Sequence, residues 1–426
     1  MKRTAMALAA LSLLTGCLAE TDPSETDLAF QPLVKSSVAA RTCSLSTRRP
    51  LTVDSTPRSG LDTAGFIADV VAQLDDDYMG YSAMLIGKAG VEVASAKYGW
   101  ARTRCEPSGE RNFNHNTQTA WGSVTKVLTT ALVIDKVERS SQSLDEEAWT
   151  NLPSAWRSDV VATNSPHQAV RVRDLLSHMS GFAGSNGLTL RQRITGPLEK
   201  SLSTRIYANA NFSIFKHMGR FFREGYFDNL EANYVPNEIP LDAYLETISL
   251  SIYEDAMHDR VASPVGITFS CNEPEHDGPN YAHFYTDEDA TRGYLLNSVD
   301  RPGCTTGGIV MSPRDMGTFL HALTRTNTII SKANYQDEMA DPSIRRLGWD
   351  YADVVMGGGR MYGKNGSRTF SGASAIVGNG EGSSYSEVVA FPNGMTALIT
   401  ANSARPLGSP TFRQILRDAY DDAVTL

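Results

Sequence analysis

The sequence predicts a mixed α/β (α+β) fold with one antiparallel sheet of about five strands, built from both chain ends and flanked by helices, and a mainly helical inserted region. The first observation is a set of short apolar runs near both ends. These runs occupy residues 81–87, 91–98, 373–377, 387–391 and 395–401. The second is turn chemistry, because Lys88-Ala89-Gly90 separates the first two runs and Pro392-Asn393-Gly394 separates the last two. The third is helical spacing of apolar residues through the middle of the chain.

The predicted helices follow from apolar residues that recur on one face. Near the N-terminal end of the domain these are Phe66, Ile67, Val70, Val71 and Leu74. A closing helix over residues 411–424 has Phe412, Ile415, Leu416 and Ala419 on its apolar side. Further helices are predicted at residues 124–137, 172–176, 209–222, 241–257 and 313–323. The polar, irregular residues 272–300 predict a surface loop.

Length and composition narrow the class of protein. A chain of 426 residues with 41% apolar content can bury one large core or two joined cores. Charged residues make up 20%, which argues against wholesale disorder. The net charge of −9 argues against a nucleic-acid partner, because binding phosphates requires clustered Lys and Arg.

The N-terminus predicts export. Lys2 and Arg3 precede an apolar stretch over residues 5–14, which has the length of a signal-peptide core and is too short to span a bilayer. The following Leu14-Thr15-Gly16-Cys17 resembles the bacterial lipobox, in which the cysteine is lipidated. Lipidated Cys17 would anchor the protein to a membrane without spanning it. The alternative is an ordinary secretory signal with an incidental Cys17.

Four cysteines remain after Cys17, and an even number in an exported chain predicts two disulfides. Three connectivities are possible. The shortest loops favour Cys43–Cys105 and Cys271–Cys304, and the alternative is free buried thiols. No pair has C-x-x-C spacing, so we expect no metal site.

The chain divides into three predicted parts. Residues 1–17 form the signal peptide ending at the lipobox, and residues 18–60, rich in Ser, Thr, Pro and Arg, form a tether. Residues 61–426 form the folded domain. Its sheet subdomain comprises residues 61–120 and 345–426, and residues 121–344 form the mainly helical subdomain.

Three short motifs carry candidate chemistry. Ser123-Val124-Thr125-Lys126 places a hydroxyl and an amine on one helix face about one turn apart, at the end where free N–H groups and the helix dipole favour negative charge. Lys126 could accept the hydroxyl proton. Alternatively, Ser123 is a simple helix cap. Ser213-Ile214-Phe215-Lys216 matches the same pattern.

The other two motifs are Tyr207-Ala208-Asn209 and Lys364-Asn365-Gly366. A tyrosine beside a lysine can shuttle protons, since the cation favours phenolate, and Asn209 can bind a substrate amide. Lys364 could bind a carboxylate from an exposed sheet edge, and Gly366 would let substrate approach the backbone. A packed core tyrosine and an ordinary turn are the alternatives. Only one ordered set, S-x-x-K then Y-x-N then K-x-G, exists in the chain.

With these motifs the chain resembles the serine β-lactamase and penicillin-binding-protein group, in particular the class C β-lactamase and D-alanyl-D-alanine carboxypeptidase branch with its related esterases. Further similar segments are residues 121–126, 172–182, 306–316, 391–394 and 399–403. The resemblance covers the chain from about Tyr81 onward and implies the β-lactamase/transpeptidase-like fold.

The resemblance also implies roles. Ser123 would be the acylated nucleophile, with Lys126 and Tyr207 sharing general acid–base work. Asn209 would hold the substrate amide and Lys364 its carboxylate. The oxyanion hole would use the backbone N–H groups of Ser123 and Ser367, whereas His178 belongs to a segment that the family uses structurally.

The chain departs from the family pattern at Asn365, where many β-lactamases carry a threonine hydroxyl. Residues 367–371 also form a longer turn than usual, and residues 211–300 match no motif. These departures weaken a claim for β-lactam hydrolysis. Retention of Lys364, where many esterase-like relatives carry His, favours a carboxylate-bearing substrate.

These observations predict a monomeric, cofactor-free serine hydrolase in the bacterial cell envelope, anchored to the membrane as a lipoprotein. Its substrate would be a D-amino-acid peptide, a β-lactam or a small ester. The alternative is a catalytically silent lipoprotein that binds cell-wall peptide on the same fold. An ordinary α/β-hydrolase is disfavoured because the chain contains no G-x-S-x-G.

Overall fold

The computed structural model describes residues 45, 51–58, 60–74, 76–106, 108–184, 187–202, 204–235, 239–271, 280–296, 303–370 and 382–424. The predicted signal peptide with Cys17, and most of the predicted tether, lie outside this range. Within it, no helix combines the length and apolar character needed to cross a bilayer.

The main sheet is antiparallel, with the strand order β1-β3-β2-β11-β10-β9-β8, and β4 extends it by pairing with β3. A small second sheet has the order β5-β7-β6. The strands are β1 Thr52–Ser55, β2 Gly80–Ile86, β3 Glu92–Arg102, β4 Arg111–Asn112, β5 Thr119–Ala120, β6 Ser270–Cys271, β7 Ile309–Met311, β8 Tyr351–Val354, β9 Arg360–Phe370, β10 Gly382–Ala390 and β11 Thr396–Ala401. Strands from both chain ends meet where β2 pairs with β11.

This architecture confirms the predicted fold class. The hairpin of β2 and β3 and the hairpin of β10 and β11 lie where the turn chemistry predicts them. The strand predicted at residues 373–377 falls outside the described residues. The prediction of about five strands is too low, because the main sheet has eight strands among the described residues. The third motif, Lys364-Asn365-Gly366, lies inside β9.

Helices cover both faces of the main sheet. They are α1 Thr63–Leu74, α2 Thr125–Glu138, α3 Ser154–Ala162, α4 Val172–Leu176, α5 Leu190–Thr195, α6 Ala210–Ser213, α7 Gly219–Ala232, α8 Leu241–Met257, α9 Ser263–Val265, α10 Pro313–Arg325, α11 Lys332–Asn334 and α12 Phe412–Ala423. Helices α1 and α12 pack together on one face, and the inserted helical region, including α2 and α10, covers the other.

One predicted helix is interrupted. Residues 209–222 were expected to form a continuous helix, but α6 passes into the 3₁₀ turn Ile214–His217 and the backbone leaves the helical region at Met218. Helix α7 restarts at Gly219, where a Cβ atom would lie 2.6 Å from the Phe227 ring and 2.8 Å from Ser249 Oγ. Close packing therefore determines this break, and periodicity does not reveal it.

Two apolar cores lie on opposite faces of the sheet. Leu398 of β11 belongs to the core shared with α2, and the next residue, Ile399, belongs to the core with Phe66 of α1 and Phe412 of α12. This follows from the period-two alternation of side chains along a strand. The sheet therefore acts as the shared wall between the two layers.

The disulfide prediction is confirmed for one pair. Cys271 of β6 is bonded to Cys304, which lies a few residues before β7. Cys105 is also disulfide-bonded, and its predicted partner Cys43 lies outside the described residues. Glu254 lies near the sulfurs of Cys271 and Cys304, but sulfurs that are joined in a disulfide are not thiolate ligands for a metal.

Candidate active site

Ser123 lies at the junction between the helical region and the sheet. It sits in the 3₁₀ turn Gly122–Val124 that immediately precedes α2, as the predicted helix start requires. Gly122 has a φ of +51°, and a Cβ atom there would lie 2.8 Å from both N and O of Ser367. Only glycine combines this left-handed backbone with so close an approach to β9. The Ser123 side chain is half-buried, so it can be reached from solvent.

Lys126 lies one turn further along and is completely buried. Its ammonium group donates to Ser123 Oγ at 3.0 Å, to Asn209 Oδ1 at 2.8 Å and to the Thr306 carbonyl at 2.8 Å. A buried ammonium is tolerated only when its protons have acceptors, and these three acceptors fix its position. The amine of the first motif and the amide of the second motif are thus in direct contact.

Tyr207 completes the contact with the nucleophile. Its hydroxyl donates to Ser123 Oγ at 2.6 Å. Lys126 Nζ lies 5.1 Å from the centroid of the Tyr207 ring, and Lys364 Nζ lies 4.8 Å from it. Two ammonium groups therefore flank one phenol, an arrangement that stabilises negative charge on the ring and its oxygen.

His178 supports this tyrosine without contacting Ser123 Oγ in the described structure. Its ring lies 4.5 Å from the Tyr207 ring, its Nδ1 accepts from the Ala208 N–H at 3.4 Å, and its carbonyl accepts from the Ile206 N–H at 2.9 Å. Burial, together with the charge on Lys126, lowers the pKa of His178 well below its ordinary value. His178 therefore remains neutral near pH 7 and holds the segment that carries Tyr207.

Lys364 is placed differently from the sequence expectation. We predicted an exposed sheet edge, but β9 lies between β8 and β10 and Lys364 is completely buried. That part of the prediction is wrong, because β8 covers the expected edge. Its ammonium forms an ion pair with Asp350 Oδ2 at 2.5 Å. Asp350, which directly precedes β8, has no counterpart among the predicted site residues.

The backbone of β9 meets the Ser123 turn through a second close contact. A Cβ atom on Gly366 would collide with the Trp121 carbonyl oxygen and lie 3.1 Å from Ser123 N. Ser386 Oγ in the neighbouring β10 donates to the same Trp121 carbonyl at 2.9 Å. These contacts place the β9 backbone at Gly366 and Ser367 directly against the turn that carries Ser123.

Asn365 belongs to the other face of the sheet. It lies opposite Glu387 in register, whereas Lys364 lies opposite Val388. Val388 belongs to the core on the helical side, and alternation therefore directs Asn365 away from it. Burial raises the pKa of Glu387 to about 8, and Tyr351 donates a hydrogen bond to its carboxyl group at 2.7 Å.

The second S-x-x-K match has a different environment. Ser213 ends α6, and Lys216 is ion-paired with Glu246 at 3.0 Å. The structure thus brings together the motif set selected by order along the chain. The sequence reasoning missed Asp350, Ser386 and the use of the Thr306 carbonyl, because each contact is defined by the three-dimensional packing of distant segments.

Comparison with known proteins gives a consistent family. The family model described as Beta-lactamase matches residues 67–233 and 241–419. No curated protein matches. Among solved structures, a beta-lactamase/D-alanine carboxypeptidase from Pseudomonas syringae is similar with a TM-score of 0.56 and 15% identity over 84% of this chain and 97% of that chain.

Two further structures have the same fold. A class C beta lactamase from Rhodobacter sphaeroides has a TM-score of 0.53 and 15% identity over 84% of this chain and 97% of that one. The octameric penicillin-binding protein homologue from Pyrococcus abyssi has a TM-score of 0.53 and 18% identity over 81% and 74%, respectively. At these identities the likeness shows the fold alone.

Proposed function

The chain belongs to the beta-lactamase family, and from that premise we propose that it is a serine hydrolase that forms an acyl-enzyme on Ser123 and cleaves an amide or ester. The observation that carries this proposal is the contact of Ser123 Oγ with both Tyr207 Oη, at 2.6 Å, and Lys126 Nζ, at 3.0 Å. A nucleophile within hydrogen-bond reach of two proton carriers is the arrangement that covalent catalysis needs.

In the acylation step, Ser123 Oγ accepts hydrogen bonds from both partners, so its own proton can leave only to an ionised Tyr207 or a neutral Lys126. The proton moves to that partner as Oγ bonds to the substrate carbonyl carbon. The same proton then passes to the leaving group as its bond to that carbon breaks. Tyr207 and Lys126 interact too closely for the two roles to be assigned separately.

The negative charge on the carbonyl oxygen would be stabilised by the backbone N–H groups of Ser123 and Ser367. One such donor contributes on the order of 3 kcal/mol to transition-state stabilisation. Water then attacks the acyl carbon, with its proton taken by the same base and returned to Ser123 Oγ. The substrate candidates are a D-amino-acid peptide, a β-lactam or a small ester.

Covalent labelling tests this proposal. A fluorescent fluorophosphonate should label the wild-type protein and not Ser123→Ala, and any labelling by a fluorescent penicillin should likewise be lost in Ser123→Ala. Ser213→Ala is the matched control, because it removes the serine of the other S-x-x-K sequence and should label like wild type. Equal labelling of Ser123→Ala and wild type would contradict the proposal. Absence of all labelling, together with measurable muropeptide binding, would favour the silent cell-wall-binding alternative.

We also propose that the protein is a lipoprotein of the bacterial cell envelope, anchored through Cys17. The charged start, the apolar stretch over residues 5–14 and the sequence Leu14-Thr15-Gly16-Cys17 support this proposal. When the full chain is expressed in a bacterium, it should partition into the Triton X-114 detergent phase, and Cys17→Ser should move it to the aqueous phase. Identical partitioning of the two proteins would contradict lipidation.

A further inference from the structure

The ion pair between Lys364 and Asp350 bears on substrate choice. The ammonium of Lys364 lies 2.5 Å from Asp350 Oδ2, and the two groups together carry no net charge. Lys364 is completely buried, and the Tyr207 ring lies 4.8 Å from its Nζ. A substrate carboxylate would have to pass the phenol to reach this ammonium, and it would then share the positive charge with Asp350.

The neighbouring arginines do not take over this role. Arg205 donates to the carbonyl oxygens of Ser177, Trp349 and Asp350 at 2.8–3.1 Å. Arg346 donates to the carbonyl of Asp350 at 2.9 Å. Both guanidinium groups are thus held by backbone acceptors behind the ion pair, and Arg205 Nη2 lies 3.9 Å from Asp350 Oδ1. They hold Asp350 in place.

The position of the ion pair identifies the affected part of the substrate. Tyr207 would return a proton to the leaving group, so the leaving group lies on the side of the cleft where Tyr207 covers Lys364. A charged leaving group there would lose hydration without gaining an unpaired cation as a partner. Asn365 does not compensate, because its amide side chain faces the other side of the sheet.

We propose that Asp350 is a specificity-determining residue: by neutralising Lys364 it selects substrates whose leaving group is uncharged, such as neutral esters, over those whose leaving group bears a carboxylate. This inference rests on the proposed acyl-enzyme function and reverses the substrate preference inferred from the retention of Lys364. Asp350 acts through Lys364 and does not touch the reacting atoms.

A matched pair of thioesters tests this proposal. Hippuryl thioglycolate carries a carboxylate on its leaving group, and its methyl ester is the same molecule without that charge. Release of the thiol is followed with a chromogenic disulfide. The kcat/KM of wild type for the methyl ester should be at least about tenfold higher than its kcat/KM for the acid. This is the scale of effect expected from one unpaired charge.

Two variants separate the role of Asp350 from the role of Lys364. In Asp350→Asn the charge of Lys364 is exposed to the cleft, and the acid-to-ester ratio of kcat/KM should rise by about tenfold. In the double variant Lys364→Met/Asp350→Asn, which removes both charges of the pair, the ratio should stay within about twofold of wild type, because Lys364 does not hold the carboxylate. Asp353→Asn is the matched control, since Asp353 is an ion-paired aspartate on β8 whose partner is Arg413.

Failure of this inference can be distinguished from failure of the acyl-enzyme proposal. Preference of wild type for the acid, or a selective loss of acid hydrolysis in the Lys364→Met/Asp350→Asn double variant, would overturn this inference and leave the acyl-enzyme proposal intact. Wild type with no turnover of either thioester and no Ser123-dependent labelling would overturn both. The comparison of the two thioesters on wild type stands even if Asp350→Asn fails to fold.

Discussion

Tyr207 is the residue whose environment most directly favours a chemical role. Its hydroxyl is 2.6 Å from Ser123 Oγ, and its ring packs against His178. A phenylalanine would keep the ring contacts and remove only the oxygen. Replacing Tyr207 by phenylalanine therefore tests proton transfer while leaving the packing unchanged.

We expect Tyr207→Phe to lower the rate of acylation by about 10²–10⁴-fold, the usual contribution of a general acid–base group. The urea midpoint should remain near that of wild type. The measurement is the second-order rate of fluorophosphonate labelling. Tyr226→Phe, at a 48% exposed position on α7, is the control. A decrease smaller than about threefold would mean that Lys126 alone serves Ser123.

Glu387 is a buried carboxyl group whose titration is coupled to stability. Burial, assisted by the Asp350 carboxylate, raises the pKa of Glu387 to about 8 from its ordinary value of 4.5. Between these values the folded state binds a proton that the unfolded state has released. The free energy of unfolding therefore decreases as pH rises from 4.5 to 8, by roughly 1.4 kcal/mol per pH unit from this group, and levels off above 8.

Glu387→Gln should remove this contribution while keeping an oxygen for the hydrogen bond from Tyr351. Relative to the variant, wild type should therefore lose stability between pH 5 and pH 8. Urea unfolding of both proteins at pH 5, 6.5 and 8 measures the difference, and the exposed Glu110→Gln controls for the loss of one carboxylate. Parallel pH dependences of wild type and Glu387→Gln would contradict the assignment.

At the scale of elements, the contact between β9 and the Gly122–Val124 turn sets the geometry of the site. A Cβ atom on Gly366 would meet the Trp121 carbonyl and lie 2.5 Å from Ser386 Oγ. Because the Trp121 contact is backbone, it cannot rotate away as a side chain can. The strand must instead move, which separates the backbone nitrogen of Ser367 from Ser123.

Gly366→Ala should therefore lower acylation by about 10²–10³-fold, the effect of losing one oxyanion donor. The labelling rate and the urea midpoint are measured together, and both should fall. In Gly225→Ala, which lies just after a kink of α7 at Arg223, a Cβ atom meets nothing within 4 Å, so this control should label normally and change stability by no more than about 1 kcal/mol. Normal labelling of Gly366→Ala would show that the contact is dispensable.

The elements also show which parts of the fold the sequence can predict. Helices α8 and α12 have clear periodicity, and their predicted bounds agree with the structure within about one residue at each end, inside the scatter expected for helix boundaries. Strand β9 was missed as a strand because RMYGKNGSRTF combines glycines and polar residues without alternation. Its pairing with β10 and β8 determines its structure, and such long-range pairing leaves little local signal.

The same reasoning applies to the candidate site. Order along the chain was sufficient to select Ser123, Tyr207 and Lys364 from several weak matches, and the structure places Tyr207 in contact with both Ser123 and Lys364. The ion pair of Lys364 with Asp350 could not be predicted, because it depends on how β8 lies beside β9. Periodicity assigns residues to faces of an element, but it does not determine which charges meet.

At the scale of the whole molecule, both chain ends stabilise a site formed largely by the middle of the chain. Helices α1 and α12 pack against the sheet face opposite the helical region. Phe412 of α12 is fully buried between Tyr78 and Tyr385, with ring centroids 5.4 and 5.0 Å away. Strand β11 joins β2 to β10 in the main sheet. Destabilising the α1 and α12 layer should therefore destabilise the sheet that contains β9.

Phe412→Ala should therefore lower the free energy of unfolding by about 3–5 kcal/mol, the cost of a cavity left by a buried phenylalanine. The loss of Ser123 labelling and the loss of far-ultraviolet circular dichroism should shift to lower urea together, since the two layers share one sheet. Leu407→Ala, at a fully exposed position, should change neither by more than about 0.5 kcal/mol. If labelling of Phe412→Ala persisted after most of the circular dichroism signal was lost, the helical region would be folding independently of the chain ends, and the shared sheet would not be what holds the site together.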